Sequence, residues 1–184
     1  MNINIETDRL ILRQFEESDA KALHSICNQQ YILKWMPDWK GSVETIKERI
    51  QWFKRQYSNA NKDTGRLVLA VELKDKEELI GMVGIGNKEE VDNEIEIAYF
   101  ISKDFCDNGY ISEAAKAMSQ WVFAKLGLEY LIAIVEIDNF PSQRIVEKCE
   151  FTKLETKMIL NSGETEEKPF YYYRLYNKLN KTKP

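Results

Sequence analysis

The chain has one histidine, His24. A lone imidazole on a candidate helix is more often a surface or core residue than a catalyst, so chemistry that demands a histidine base is disfavoured. The three cysteines, Cys27, Cys106 and Cys149, are odd in number and widely spread. They show neither Cys-x-x-Cys metal spacing nor a disulfide framework, so a reducing compartment and no metal are expected. No stretch reaches the ~20 apolar residues needed to cross a bilayer. The segment Met1 to Asp8 carries no basic region followed by an apolar core, which leaves no membrane partner and a cytoplasmic location as the expectation. Positive charge is not in excess: the formal net charge is −4, which gives no electrostatic reason for a nucleic-acid partner. There is no repeat, low-complexity run or linker either, so residues 1–184 are expected to form one domain with a substantial core.

What is present centres on Glu94 to Ala115. Ile95, Ile97, Tyr99 and Ile101 alternate with Glu94, Glu96, Ala98 and Phe100, the period of a pleated strand. A turn from Cys106 to Ser112 carries Gly109 and feeds Ser112, Glu113, Ala114, Ala115, Lys116 and Ala117, a run of good helix formers. Strand, tight turn and helix N-terminus together aim unpaired backbone N–H groups at one spot and add the positive end of a helix dipole. That combination suits a pyrophosphate, although an ordinary strand-to-helix connection would look the same. Neither a Gly-Lys-Ser/Thr loop nor a three-glycine dinucleotide fingerprint is found there.

The segment Cys106-Asp107-Asn108-Gly109-Tyr110-Ile111 followed by Ser112-Glu113-Ala114 resembles the acetyl-coenzyme A pyrophosphate loop of the GNAT superfamily of N-acetyltransferases. Cys106 stands where that loop usually has Gln or Arg, and Ile111 where it has Gly or Ala. Two further segments carry the likeness. Glu6-Thr7-Asp8-Arg9-Leu10-Ile11-Leu12-Arg13 is similar to the opening of the Rim-type branch, the acetyltransferases of ribosomal-protein N-termini. Asn139, Ser142, Val146, Glu147, Lys148 and Phe151 follow the branch's helix after the next strand, with Glu150 where glycine is usual. Glycine there permits a left-handed helix exit, so Glu150 implies a different or more strained one.

The remaining elements read in order as a β-run at Leu10–Phe15, a helix capped by Ser18, and an irregular aromatic stretch over 28–41. A second helix is capped by Ser42. Strands at Leu67–Leu73 and Leu79–Gly86 follow, then the Glu94 strand, a helix to about Leu126, strands at Tyr130–Ile137, Lys153–Leu160 and Phe170–Tyr176, and a basic tail from Lys178. The order ββαααβββαβαββ predicts an α/β (α+β) fold of the GNAT type. Its central sheet should be mixed but mostly antiparallel, with splayed fourth and fifth strands and flanking helices.

The resemblance implies an acetyl-CoA-dependent enzyme that acetylates a primary amine, a protein N-terminus or a small molecule, by direct attack in a ternary complex. A homodimer is among the assemblies it allows, and a silent CoA-binding module with the same fold is the alternative reading. Cofactor contacts fall on Ile101, Asn108, Gly109, Tyr110, Ile111, Ser112 and Asn139; Asn139 could equally be a plain cap. The amine must lose a proton, which calls for a carboxylate or a water relay. Glu96 is the candidate base and Glu136 the reserve; a solvated face formed by Glu94 and Glu96 is the competing reading. Many family members protonate the thiolate with a tyrosine where this chain has Val146, so Ser142 is the nearest donor, unless it only begins its helix. Trp35 and Trp39 are candidate acceptor walls, or rings that fold back on the core.

Overall fold

The computed structural model describes residues 3–59, 61, 66–161 and 164–178. The expected Ser58–Gly65 loop and Asn161–Gly163 turn lie partly outside them, and the basic tail beyond Lys178 lies wholly outside.

Eight strands form one sheet in the order β1-β2-β3-β4-β5-β6-β8-β7. They are β1 (Asn4–Glu6), β2 (Leu10–Arg13), β3 (Leu67–Leu73), β4 (Glu78–Lys88), β5 (Glu94–Ile101), β6 (Tyr130–Glu136), β7 (Thr152–Ile159) and β8 (Lys168–Tyr176). Every neighbouring pair is antiparallel except β5 and β6, which run parallel. A parallel pair needs a long crossover, and α4 (Tyr110–Leu126) supplies it. The remaining helices are α1 (Ala20–Cys27), α2 (Gln30–Leu33), α3 (Val43–Gln56) and α5 (Phe140–Lys148). Gly109 and Gly127 bracket α4, both left-handed with φ of 77° and 68°, a conformation that costs glycine nothing because it has no Cβ. Ala114, Ala115 and Met118 are fully buried, and the small alanines let the helix lie close over β4 and β5.

Several boundaries differ from the sequence reading. Ser18 is not a cap: a 3₁₀ turn at Glu17–Asp19 precedes α1, and Glu16 and Asp19 form its capping box, the Asp19 carboxylate accepting the Glu16 N–H at 2.8 Å. Asp19 also receives both terminal nitrogens of Arg13, at 2.7 and 2.9 Å, while Arg13 Nε binds Glu72 at 2.6 Å. This knot fastens α1 to β2 and β3, and it holds the guanidinium well above its ordinary pKa, chiefly through the Asp19 bond. The stretch over 28–41 contains α2 and a 3₁₀ turn at Pro37–Trp39. Ser42 does cap α3, accepting from the Thr45 N–H at 3.2 Å. The α4 helix begins at Tyr110, two residues before the expected start.

Glu150 occupies the left-handed region itself, with φ of 68°. The Phe151 N–H reaches the Val146 carbonyl at 3.0 Å, so the exit has the shape a glycine would give, adopted by a residue whose Cβ disfavours it.

The core lies between the sheet and its two helical layers. Alternate residues of β5 point to opposite faces. On one face Phe100 meets Trp39 edge-on at 4.7 Å; on the other Tyr99 reaches α5.

Candidate functional site

The β5–β6 pairing holds at one register position, Glu96 opposite Ile132. Beyond it the parallel strands part, and this is the pair expected to splay, counted as fifth and sixth because β1 forms its own short strand. Parting strands leave backbone donors and acceptors without their ladder partners, so the fork exposes polar main chain inside the protein. Glu96 Oε1 accepts one of these donors, the Ile134 N–H, at 3.3 Å.

On the α3 side of the fork lies a cavity of ≈ 600 Å³ whose walls include Trp39, Arg49, Trp52, Arg66, Glu96 and Ala98. Glu96 therefore does not belong to a solvated strand face. Burial pushes its carboxyl from 4.5 up to about 7, against the opposing pull of Lys88 and the Ile134 bond. A carboxyl poised there can hold or release a proton near neutrality. Glu94, its neighbour on the same face, is spent structurally: it pairs with Arg174 Nη2 at 2.8 Å and accepts from the Tyr172 hydroxyl at 2.8 Å. Glu136, the reserve base, is outside the cavity wall.

Trp39 is 7% exposed and packs against Phe53 and Phe100, so it is a core ring and a cavity wall together. Trp35 is not part of that wall; it lies under the Lys34 ammonium at 4.2 Å. The structure separates these two tryptophans, which the sequence reading had grouped.

On the opposite face of β5, the Tyr99 and Ser142 hydroxyls are 3.0 Å apart. Burial raises the Tyr99 pKa, with the Ser142 contact working the other way, so the phenol keeps its proton at any working pH. Tyr99 is a candidate that sequence reasoning did not single out. Its distance in sequence from α5 hid the contact, and only its place one residue after Ala98, on the reverse face from Glu96, hinted at a separate role. Asn139 caps α5, its Oδ1 accepting the Ser142 N–H at 3.3 Å, and thereby orients that serine. Val146, in the place of the family's tyrosine, is 1% exposed and belongs to the core.

The third part is the α4 N-terminus. No side chain caps this helix, so the N–H groups of Tyr110, Ile111 and Ser112 have no helical acceptor. Asp107 and Gly109 both have positive φ, which turns the chain sharply enough to aim those groups outward. The Ile111 side chain is 7% exposed, inside the core; only its main chain is available to a ligand, which is why isoleucine is tolerated there. Asn108 Nδ2 folds back onto the Cys106 carbonyl at 2.9 Å, and the thiol of Cys106 sits 3.7 Å from the Tyr31 hydroxyl. Ile101, the last residue of β5, is 7% exposed and pairs with Gly81.

What steadies this loop is not legible along the chain. Glu113, in the first turn of α4, accepts from Thr7 Oγ1 at 2.6 Å, from the Arg9 N–H at 3.1 Å and from Arg9 Nε at 2.7 Å. Arg9 Nη1 then reaches the Asn108 carbonyl at 3.0 Å, and the guanidinium lies 4.4 Å over the Tyr110 ring. Burial alone would raise the Glu113 pKa, but the bonds from Thr7 and Arg9 hold it below the usual carboxylate range. The Thr7–Arg9 segment and the Gly109 turn, far apart in the chain, are thus one structural unit. Among the described residues there is no group of three or more acidic, histidine or cysteine side chains able to hold a metal ion, and no helix long and apolar enough to cross a membrane.

Comparison with known proteins agrees with this geometry. The family model described as "Acetyltransferase (GNAT) domain" matches residues 9–152. The uncharacterized N-acetyltransferase YoaA of Bacillus subtilis is 31% identical over 150 residues, covering 81% of this chain and 82% of its own length. The crystal structure of a GNAT-family acetyltransferase from Bacillus anthracis superposes with a TM-score of 0.77 at 24% identity, over 95% of this chain and 98% of that one. The ribosomal L7/L12 alpha-N-protein acetyltransferase RimL, solved in complex with coenzyme A, has a TM-score of 0.80 at 16% identity, over 95% and 98% of the two chains. With its eight-stranded mixed sheet, forked parallel pair and uncapped α4, the chain belongs to the GNAT family of N-acetyltransferases.

Proposed function

We propose that this enzyme transfers an acetyl group from acetyl-CoA to a primary amine by direct attack in a ternary complex. The observation that carries the reading is the fork itself: β5 and β6 part after one register pair, with Glu96 at the crotch, an acceptor-sized cavity on one face and the uncapped α4 N-terminus nearby. Bound acetyl-CoA would supply an already activated thioester, so no metal is needed. The N–H groups of Tyr110, Ile111 and Ser112 offer the pyrophosphate a cradle reinforced by the helix dipole. Gly109 and Asn108 shape that cradle, and Arg9 fixes it to the N-terminal segment. Ile101 and Asn139 border the gap between the diverging strands.

Within the cavity Glu96 takes the proton that the amine must lose before it attacks, and its raised pKa matches that task near neutral pH. Tyr99, kept protonated by burial and paired with Ser142, donates to the departing thiolate in place of the tyrosine that Val146 replaces. Trp39 and Trp52 give the acceptor side apolar walls. The acceptor is a protein N-terminal α-amine or a small-molecule amine; likeness to a protein that acetylates a ribosomal-protein N-terminus favours the first, and the open cavity of ≈ 600 Å³ has room for either.

The test has two steps. CoA should raise the melting temperature by binding the folded state, and thiol release from acetyl-CoA should depend on an added amine. Tyr99→Phe should then lower turnover with CoA affinity nearly intact. No thermal shift at millimolar CoA, together with no amine-dependent thiol release, would sink the proposal.

A further inference from the structure

Strand β4 carries three glycines, Gly81, Gly84 and Gly86. Glycine inside a strand costs conformational entropy and leaves nothing to pack, so each calls for a reason. Two have one in the sheet itself. A Cβ at Gly81 would overlap the Phe100 carbonyl oxygen, and a Cβ at Gly84 would lie 2.7 Å from the Leu67 carbonyl oxygen. Gly86 differs from both. A Cβ there would meet only Arg66 Cγ, at 3.9 Å, an ordinary van der Waals contact with a flexible side chain.

A bulge or a left-handed backbone would also account for a strand glycine. Neither applies. The β4–β5 register runs from Gly81 to Lys88 without a shift, and among the described residues the glycines with positive φ are Gly109 and Gly127. The remaining reason is close approach by something from outside the chain.

The position of Gly86 indicates what approaches. It stands opposite Glu96 in the β4–β5 ladder, and both line the open cavity. Opposed residues of an antiparallel pair project to the same face with their Cβ positions about 5 Å apart. The missing side chain is therefore a gap in the cavity wall beside the base, and Gly86 is partly exposed there. An amine bonded to the Glu96 carboxyl brings its own carbon into the same neighbourhood, and a substituent on that carbon has the gap to occupy.

We infer that Gly86 is a specificity-determining residue of the acceptor site, its missing side chain leaving room beside Glu96 for a substituent on the acceptor's amine-bearing carbon. This rests on the amine-acetyltransferase reading of the same site. Two sources share that chemistry: a peptide whose N-terminal residue has a side chain, and a small amine on a branched carbon.

The experiment uses purified full-length enzyme and acetyl-CoA, read as thiol released, with two pairs of acceptors that differ by one methyl group on the amine-bearing carbon. One pair is a C-terminally amidated peptide starting with Ala and the same peptide starting with Gly; the other is 1-phenylethylamine and benzylamine. Wild type should accept the methylated member of at least one pair. Gly86→Ala, which puts one carbon into the gap, should lower the ratio of kcat/KM for the methylated over the unmethylated member at least ~10-fold through KM, as one misplaced methylene does in a fitted pocket. Whichever pair responds identifies the source. CoA affinity by calorimetry should be unchanged, and Tm should rise by ~2 °C because the variant loses less entropy on folding.

Gly86→Val fills more of the gap and should lower the ratio further; if it does not fold, Gly86→Ala carries the comparison. A glycine needed only by the sheet would give the opposite result, a lower Tm with equal losses for both members of each pair. That outcome, an unchanged ratio in both pairs, or rejection of both methylated acceptors by wild type overturns the inference while amine-dependent acetyl transfer stands. Absence of transfer to every amine, together with no CoA-induced thermal shift, would overturn the underlying reading instead.

Discussion

Glu96→Gln should leave the protein more stable and less active at once. Above neutral pH the fold holds a carboxylate in a place that desolvates it, moving its protonation midpoint from 4.5 to about 7. At ~1.4 kcal/mol per decade this displacement corresponds to ~3 kcal/mol. The side chain is partly open to the cavity, and screening by water there reduces the figure to ~2 kcal/mol. The sign follows from proton counting. Between pH 4.5 and about 7 the native state keeps a proton that the unfolded chain has lost, so stability falls as pH rises through that window. Below 4.5 both states are protonated and the penalty vanishes. Glutamine retains an acceptor for the Ile134 N–H, now 3.3 Å from Glu96 Oε1, and cannot ionise.

Urea unfolding of wild type and variant at pH 4 and pH 8 measures this directly. The two proteins should agree within ~0.5 kcal/mol at pH 4, and the variant should be more stable by ~2 kcal/mol at pH 8. Turnover should fall by ~10²–10⁴, as expected for loss of a general base, and the rise of kcat through about pH 7 seen in wild type should disappear. A stability gap of the same size at both pH values would show that the carboxyl titrates normally. Undiminished turnover would show that the amine loses its proton elsewhere.

Gly109→Val should weaken CoA binding at least ~10-fold by calorimetry while the circular dichroism spectrum stays native, because a β-branched residue resists the φ of 77° that the turn requires and blocks approach to the α4 N–H groups. Unchanged affinity would reduce that turn to a connection. Arg13→Met strands the carboxylates of Asp19 and Glu72, whose side chains are 9% and 14% exposed. It should cost ~3 kcal/mol in urea unfolding near neutral pH, the range for breaking a largely buried pair, and a change under ~0.5 kcal/mol, typical of ordinary surface sites, would refute that picture. Glu150→Gly relieves a left-handed φ of 68° and should raise Tm by ~2–4 °C; a lower Tm would mean that the Lys178 contact outweighs the strain.

The local elements were legible in the chain because each is determined by nearest neighbours. The period-two pattern of Ile95 and Ile97 specifies β5 whatever it packs against, and Ser42 caps α3 through a bond to a residue three positions on. Gly109 marked the turn into α4, since few other residues accept a left-handed φ. At Glu150 the same logic allowed a different or a more strained exit, and the left-handed φ of 68° is the strained one. Local signals also misled: Ser18 has the right chemistry for a cap, yet the capping box there is formed by Glu16 and Asp19, whose carboxylate Arg13 also holds in place.

Most of the site was decided by tertiary structure. Glu94 and Glu96 are equivalent in sequence, two glutamates on one strand face. Arg174 and Tyr172 of β8 pair with the first, and the parting of β6 leaves the second beside the cavity, where burial is the largest cause of its raised pKa. Tyr99 meets Ser142 across 43 residues, and Thr7 and Arg9 clasp Glu113 across more than a hundred. Such contacts depend on how strands are ordered in the sheet, and the order depends on the sum of many small packing energies, not on any pattern along the chain.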